Sequence, residues 1–178
     1  MPAQFDPDKH HRRSIRLQGY NYASPGNYFV TICLQNRACL LGDIIANQMQ
    51  FNDAGQMVHD SWTALPKRFP QIDLDAFVVM PNHFHSIITL QNTGGVIPMQ
   101  DVGLGNIVGA FKSNTTRLYI AGVHRHGWEP FQKRLWQRNY YEHIVRDNPA
   151  LQTLRQYILN NPQTWNRDQL HPNSDSNG

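Results

Sequence analysis

Residues 74–90 constrain this chain more than any other stretch. Two segments rich in β-branched and aromatic residues, 74–80 and 83–90, are joined by Pro81-Asn82. Proline presets the first central position of a turn and asparagine tolerates the second, so the pattern predicts an antiparallel hairpin. Side chains alternate along a strand, which sends His83 and His85 to one face and Phe84 into the core. Two residues rise roughly 6.6 Å, a gap that two imidazoles can lean across to hold one metal ion. On the tripeptide alone, two unrelated surface histidines serve equally well, because the chain has nine.

The flanking sequence supplies the rest of a fold. Residues 28–34 read as a buried strand, and 39–45 with 48–51 as a short ribbon. Asn52 or Asp53 can cap a helix that runs to about Leu65 and is ended by Pro66 and Pro70. A second helix is expected from Leu104 to about Ile120, a loop over 122–133 and a strand over 135–145. Asp147 or Asn148 then caps a last helix, with Pro149 where its missing N–H costs nothing, and Pro162 stops it. Without the ribbon and the last helix the order is βαββαβ. The expected fold is therefore α+β and ferredoxin-like, with an extra hairpin and a C-terminal helix. Three segments are expected: a basic arm over 1–27, a domain over 28–165, and a flexible tail over 166–178.

Composition narrows the function classes. With 178 residues, 40% of them apolar, the chain can bury a core. Its formal charge of +3 and pI near 9.0 permit a nucleic-acid partner without requiring one. Cys33 and Cys39 are too few for a disulfide framework and fit no zinc pattern. No apolar run approaches the ~20 residues of a membrane span, and the N-terminus has no apolar signal segment. A cytoplasmic protein without membrane contact is expected.

On the last helix, Tyr157 and Asn161 stand four residues apart, on one face. A tyrosine can act as a covalent nucleophile, but with an ordinary pKa of about 10 it needs activation. A divalent metal on His83, His85 and the Asn161 carbonyl would polarise a phosphate oxygen. Nitrogen and neutral oxygen ligands suit Mg²⁺ or Mn²⁺. Tyr157 as packing and Asn161 as a helix cap remain the plain alternative.

The segments 80–85, 135–143 and 157–162 resemble the REP-associated tyrosine transposases, a branch of the bacterial single-tyrosine HUH transposases. So do 12–17, 25–33 and 109–113, so the resemblance runs from Arg12 to Trp165. It implies a metal-dependent nickase and strand transferase acting on single-stranded or hairpin DNA. Tyr157 would attack a phosphodiester, leaving a 5′-phosphotyrosine link and a free 3′-hydroxyl that can later reverse it. His83, His85 and Asn161 would be the metal ligands. Of the three candidate tyrosines in the C-terminal half, Tyr140, Tyr141 and Tyr157, the first two have Ile144 and Val145 four residues on, not a ligand type. Arg12, Arg13, Arg16, Lys112 and Arg138 are candidate DNA contacts, with Tyr20 and Trp136 as stacking platforms. Glu142 and His143 are candidates for orienting the metal-bound histidines. Monomer and homodimer are both open. The rival functions are a catalytically silent nucleic-acid binder and a His-x-His small-molecule metalloenzyme.

Overall fold

A computed structural model describes residues 19–92 and 103–174. The basic cluster Arg12, Arg13 and Arg16 lies outside the described residues. The chain runs β1 (Gly26–Cys33), β2 (Gly42–Ile45), β3 (Gln48–Phe51), α1 (Asp53–Thr63), α2 (Leu65–Arg68), β4 (Ile72–Val79), β5 (His83–Leu90), α3 (Leu104–His126), β6 (Tyr141–Val145) and α4 (Asn148–Asn160). Four strands form one antiparallel sheet in the order β4-β5-β1-β6, and β2 with β3 form a separate ribbon. This is the α+β arrangement expected, with β5 of the hairpin and β1 as its two central strands. None of the described helices is long and apolar enough to cross a membrane.

The sheet has two unlike faces, set by strand alternation. Tyr28, Val30 and Ile32 of β1 and Phe84 and Ile88 of β5 point to the side covered by α1 and α3, where Val58, Trp62, Val108 and Phe111 complete the main core. Phe84 is central, with ring centroids 4.7 Å from Trp62 and 5.5 Å from Phe111. The opposite face buries a smaller cluster, Phe29, Ile87, Val145, Leu151 and Ile158, beneath α4. Asn52 accepts from the Gly55 N–H and caps α1, and Asp147 accepts from the Ala150 N–H and caps α4. The β2–β3 turn places Ala46 and Asn47 at positive φ, as a two-residue hairpin turn requires.

Three boundaries differ from expectation, each for a visible reason. Helix α3 does not stop near Ile120 but continues to His126 and ends on Gly127 at φ 68°. Gly122, which reads as a breaker, instead makes room for Trp128: a Cβ there would lie 2.2 Å from the indole. Strand β6 starts at Tyr141, not Leu135. Lys112 Nζ donates to the carbonyls of Gln137 (2.7 Å) and Arg138 (3.0 Å), turning them toward α3 and away from a strand ladder. Residues 166–174 are tied down where a frayed tail was expected. A 3₁₀ helix (Pro162–Arg167) follows α4, Asn82 Nδ2 donates to the Leu170 carbonyl, and Arg37 Nη1 donates to the Gln169 carbonyl.

Candidate active site

The face of β5 opposite Phe84 carries His83 and His85, paired in register with Cys33 and Thr31 of β1. Both imidazoles are buried, and their ring centroids are 4.6 Å apart. Each is held at Nδ1. His83 Nδ1 lies 2.8 Å from Asn82 Oδ1, and His85 Nδ1 lies 2.7 Å from Thr31 Oγ1. That leaves both Nε2 atoms for the space between β5, α4 and the segment beyond it. The Tyr157 hydroxyl reaches to 3.4 Å from His85 Nε2, and an Asp168 carboxylate oxygen lies 3.8 Å from His83 Nε2. One donor atom from each of His83, His85 and Asp168 fits within 4.8 Å of the other two.

Asn161 completes the group. Its side chain is buried, close enough to His83 and Tyr157 to bias the protonation of both, yet outside hydrogen-bonding geometry. Both its amide atoms and His83 Nε2 take no hydrogen bond among the described residues. Burial of such atoms without partners is costly, and a cation would satisfy the two that are acceptors. Two imidazole nitrogens, an amide oxygen and a carboxylate form a donor set that suits a divalent metal.

Burial favours the neutral forms of the groups gathered here. Burial holds His83 and His85 well below the usual imidazole range, and each favours the neutral form that can ligate. The His83 charge pushes His85 further down, while Asp168 and Asn161 partly restore His83. Burial, reinforced by Asp168, raises the Tyr157 phenol above its ordinary value, and Asn161 opposes the rise. The phenol therefore stays protonated unless another group acts on it. Phe29 fixes its orientation, stacking on His85 (5.5 Å) and meeting Tyr157 edge-on (6.0 Å). A bidentate Arg155–Asp75 pair ties α4 to the bulged part of β4.

A cleft of about 810 Å³ opens over this group, walled on one side by Gln137, Asn139, Tyr140 and Tyr141. Tyr157 stands at its floor, 44% exposed, so a substrate can reach the phenol.

The family model for IS200-like transposases matches residues 28–161, which spans the sheet, both histidines, Tyr157 and Asn161. The chain belongs to the IS200-like transposase family. It is 43% identical, over 96% of its own length and 99% of the relative's, to an uncharacterised protein of Haemophilus influenzae. The fold is also that of a REP-associated tyrosine transposase solved bound to a REP hairpin, with a TM-score of 0.57 and 23% identity. That likeness covers 86% of this chain and 74% of the other.

The structure gathers His83, His85, Tyr157 and Asn161 in one place. It does not bring Glu142 there. Glu142 pairs with Val30 and points to the main core, on the far side of the sheet from the histidines. His143, opposite Phe29, shares the site's face but is exposed. Arg138 is exposed, between the cleft-lining residues Gln137 and Asn139, whereas Lys112 is spent on two carbonyls. Trp136 is buried with its indole N–H on Thr115 Oγ1, and Tyr20 packs on Tyr22 and Tyr28, so neither is a free stacking surface. Sequence reasoning missed Asp168, Asn82, Thr31 and Phe29. Thr31 and Phe29 were accessible from register, because they sit opposite His85 and Ile87. Asp168 carried no local signal.

Proposed function

We propose that this transposase cuts and rejoins single-stranded DNA at a hairpin through a covalent bond to Tyr157, with a divalent metal held by His83, His85, Asn161 and Asp168. The observation that carries the reading is the meeting of Tyr157 Oη with His85 Nε2 beside a His-His-Asp donor cluster. Family membership supports DNA as the substrate, and the hairpin follows from the REP-bound relative that shares the fold.

In the cleft, Phe29 and the Arg155–Asp75 pair hold the phenol toward the histidines. The Tyr157 oxygen attacks the scissile phosphorus. An O–P bond to tyrosine forms, the P–O3′ bond breaks, and the departing 3′ oxygen takes up a proton as the phenol loses one. A bound Mg²⁺ or Mn²⁺ would supply Lewis-acid polarisation of a non-bridging phosphate oxygen. Neutral His83 and His85 present Nε2 lone pairs, and Asp168 contributes the one anionic donor. The free 3′-hydroxyl later attacks the phosphotyrosine, so joining needs no external energy source.

The DNA backbone would leave the cleft over the ridge at Gln137. Behind it, a groove of about 510 Å³ is lined by Lys112, Arg117, Lys133 and Arg134. Among the described residues none of these four forms an ion pair with a carboxylate. With Lys112 held by its two carbonyls, Arg117, Lys133 and Arg134, together with Arg138 and the arm Arg12, Arg13 and Arg16, offer phosphate contacts. The reaction belongs in the bacterial cytoplasm, where its DNA is.

The decisive experiment incubates the protein with end-labelled single-stranded hairpin DNA and Mn²⁺ or Mg²⁺. A denaturation-resistant protein–DNA adduct is expected, lost with chelator and with Tyr157→Phe. An adduct that survives Tyr157→Phe but disappears with Tyr140→Phe or Tyr141→Phe overturns the assignment.

A further inference from the structure

Asn82 occupies the second position of the β4–β5 turn, where asparagine is ordinarily chosen for tolerating positive φ. Here that reason is absent. Asn82 is not among the described residues at positive φ, and its side chain is buried. The turn's own backbone is clamped from outside, the Leu34 N–H donating to the Asn82 carbonyl (2.9 Å) and the Leu41 N–H to the Pro81 carbonyl (3.1 Å).

The buried amide has one orientation available. Its Nδ2 faces two carbonyls, of Arg37 (3.1 Å) and Leu170 (2.8 Å), which only a donor can satisfy. Its Oδ1 is therefore the atom facing His83 Nδ1 at 2.8 Å. An amide oxygen accepts and cannot donate, so His83 must carry its hydrogen on Nδ1. The lone pair is then on Nε2, the atom turned toward Asp168 and His85.

We infer that Asn82 is a positioning residue that fixes the tautomer and ring angle of His83, so that Nε2 is presented as a ready metal ligand. The inference rests on the metal site proposed above and assigns a role to a residue outside its ligand set. Two carbonyls from distant parts of the chain, Arg37 and Leu170, set the amide, and the amide sets the imidazole. The bond chain makes the ligand's hydrogen-bonding state a product of the fold and not of the incoming ion.

The test uses the full-length protein. Long-range ¹H–¹⁵N correlation spectra of the chelator-treated protein are expected to show His83 as a single Nδ1–H tautomer. Asn82→Ala is expected to give a mixed or Nε2–H pattern and to weaken Mn²⁺ binding about 10–100-fold by calorimetry. A wild-type His83 in the Nε2–H form overturns the inference, and this result needs no variant to fold. So does a folded Asn82→Ala with an unchanged tautomer and Mn²⁺ affinity within about twofold. No DNA enters these measurements, so they stand or fall apart from the cleavage assay, while wild-type protein that binds no Mn²⁺ sinks the metal site itself.

Discussion

Neutralising the groove behind the Gln137 ridge should change how DNA binding depends on salt, not only how tight it is. Arg117, Lys133 and Arg134 are exposed, so replacing all three with alanine leaves the core untouched. Lys112 stays, because its ammonium holds the 137–138 carbonyls. Arg134 already lies close enough to push the Lys112 ammonium below its ordinary range, behind the larger effect of burial. Such crowding of like charge is relieved when a phosphate arrives. If each of the three meets one phosphate of a duplex stem, the slope of log K against log salt should fall by about 0.9 per residue, about 2.7 in all. Between about 50 and 200 mM salt, wild type should then lose roughly 40-fold more affinity than the triple variant. Fluorescence anisotropy with a labelled hairpin, titrated across that range, measures both slopes. A triple variant whose slope matches wild type would show that these cations do not touch the DNA. A slope change with a linear single strand but none with the hairpin would place the contacts on the flank and not the stem.

Two further outcomes follow from the buried site. His83 and His85 titrate below their unfolded value of about 6.5, so between the folded and unfolded pKa the unfolded chain binds more protons. Metal-free protein should therefore lose stability as pH falls below about 6.5, by up to about 1.4 kcal/mol per pH unit for each histidine. Thermal melts in chelator from pH 7.5 to 5 test this, and a pH dependence unchanged in His83→Gln/His85→Gln would refute it. Phe84→Ala should cost about 3–5 kcal/mol, because the ring between the two histidines is fully buried against Trp62 and Phe111. For a chain of this size that is a fall in Tm of about 6–20 °C by circular dichroism, and a fall under about 2 °C would contradict the packing described.

The parts legible in the sequence were those governed by short-range rules. Alternation placed His83 and His85 on one face, and helical spacing placed Tyr157 above Asn161. The caps Asn52 and Asp147 marked where two helices begin. What escaped was set by contacts between distant segments. Gly122 ended a helix on paper because its companion Trp128 could not be seen to need the space. Residues 135–140 had strand composition, but beyond a single bridge at Trp136, Lys112 on α3 takes the carbonyls of Gln137 and Arg138. Asp168 looked like part of a polar tail, and its place beside His83 depends on Asn82 and Arg37 holding the following residues. Glu142 was a candidate to orient the histidines, and its register opposite Val30 of β1 sends it to the other side of the sheet. One residue of offset reverses every such assignment.

Arg155 and Asp75 strap α4 to the sheet that carries the histidines. Among the described residues one phenol, that of Tyr157, meets the histidines there, and on the proposed chemistry it is occupied for as long as it holds a strand end. One such site then has custody of one end and can start no second cut until the first is returned. Exchange between two loci becomes a question of timing: the acceptor must arrive while the end is still held. The lifetime of that custody, not the speed of cutting, would decide whether a cut strand is restored or passed on.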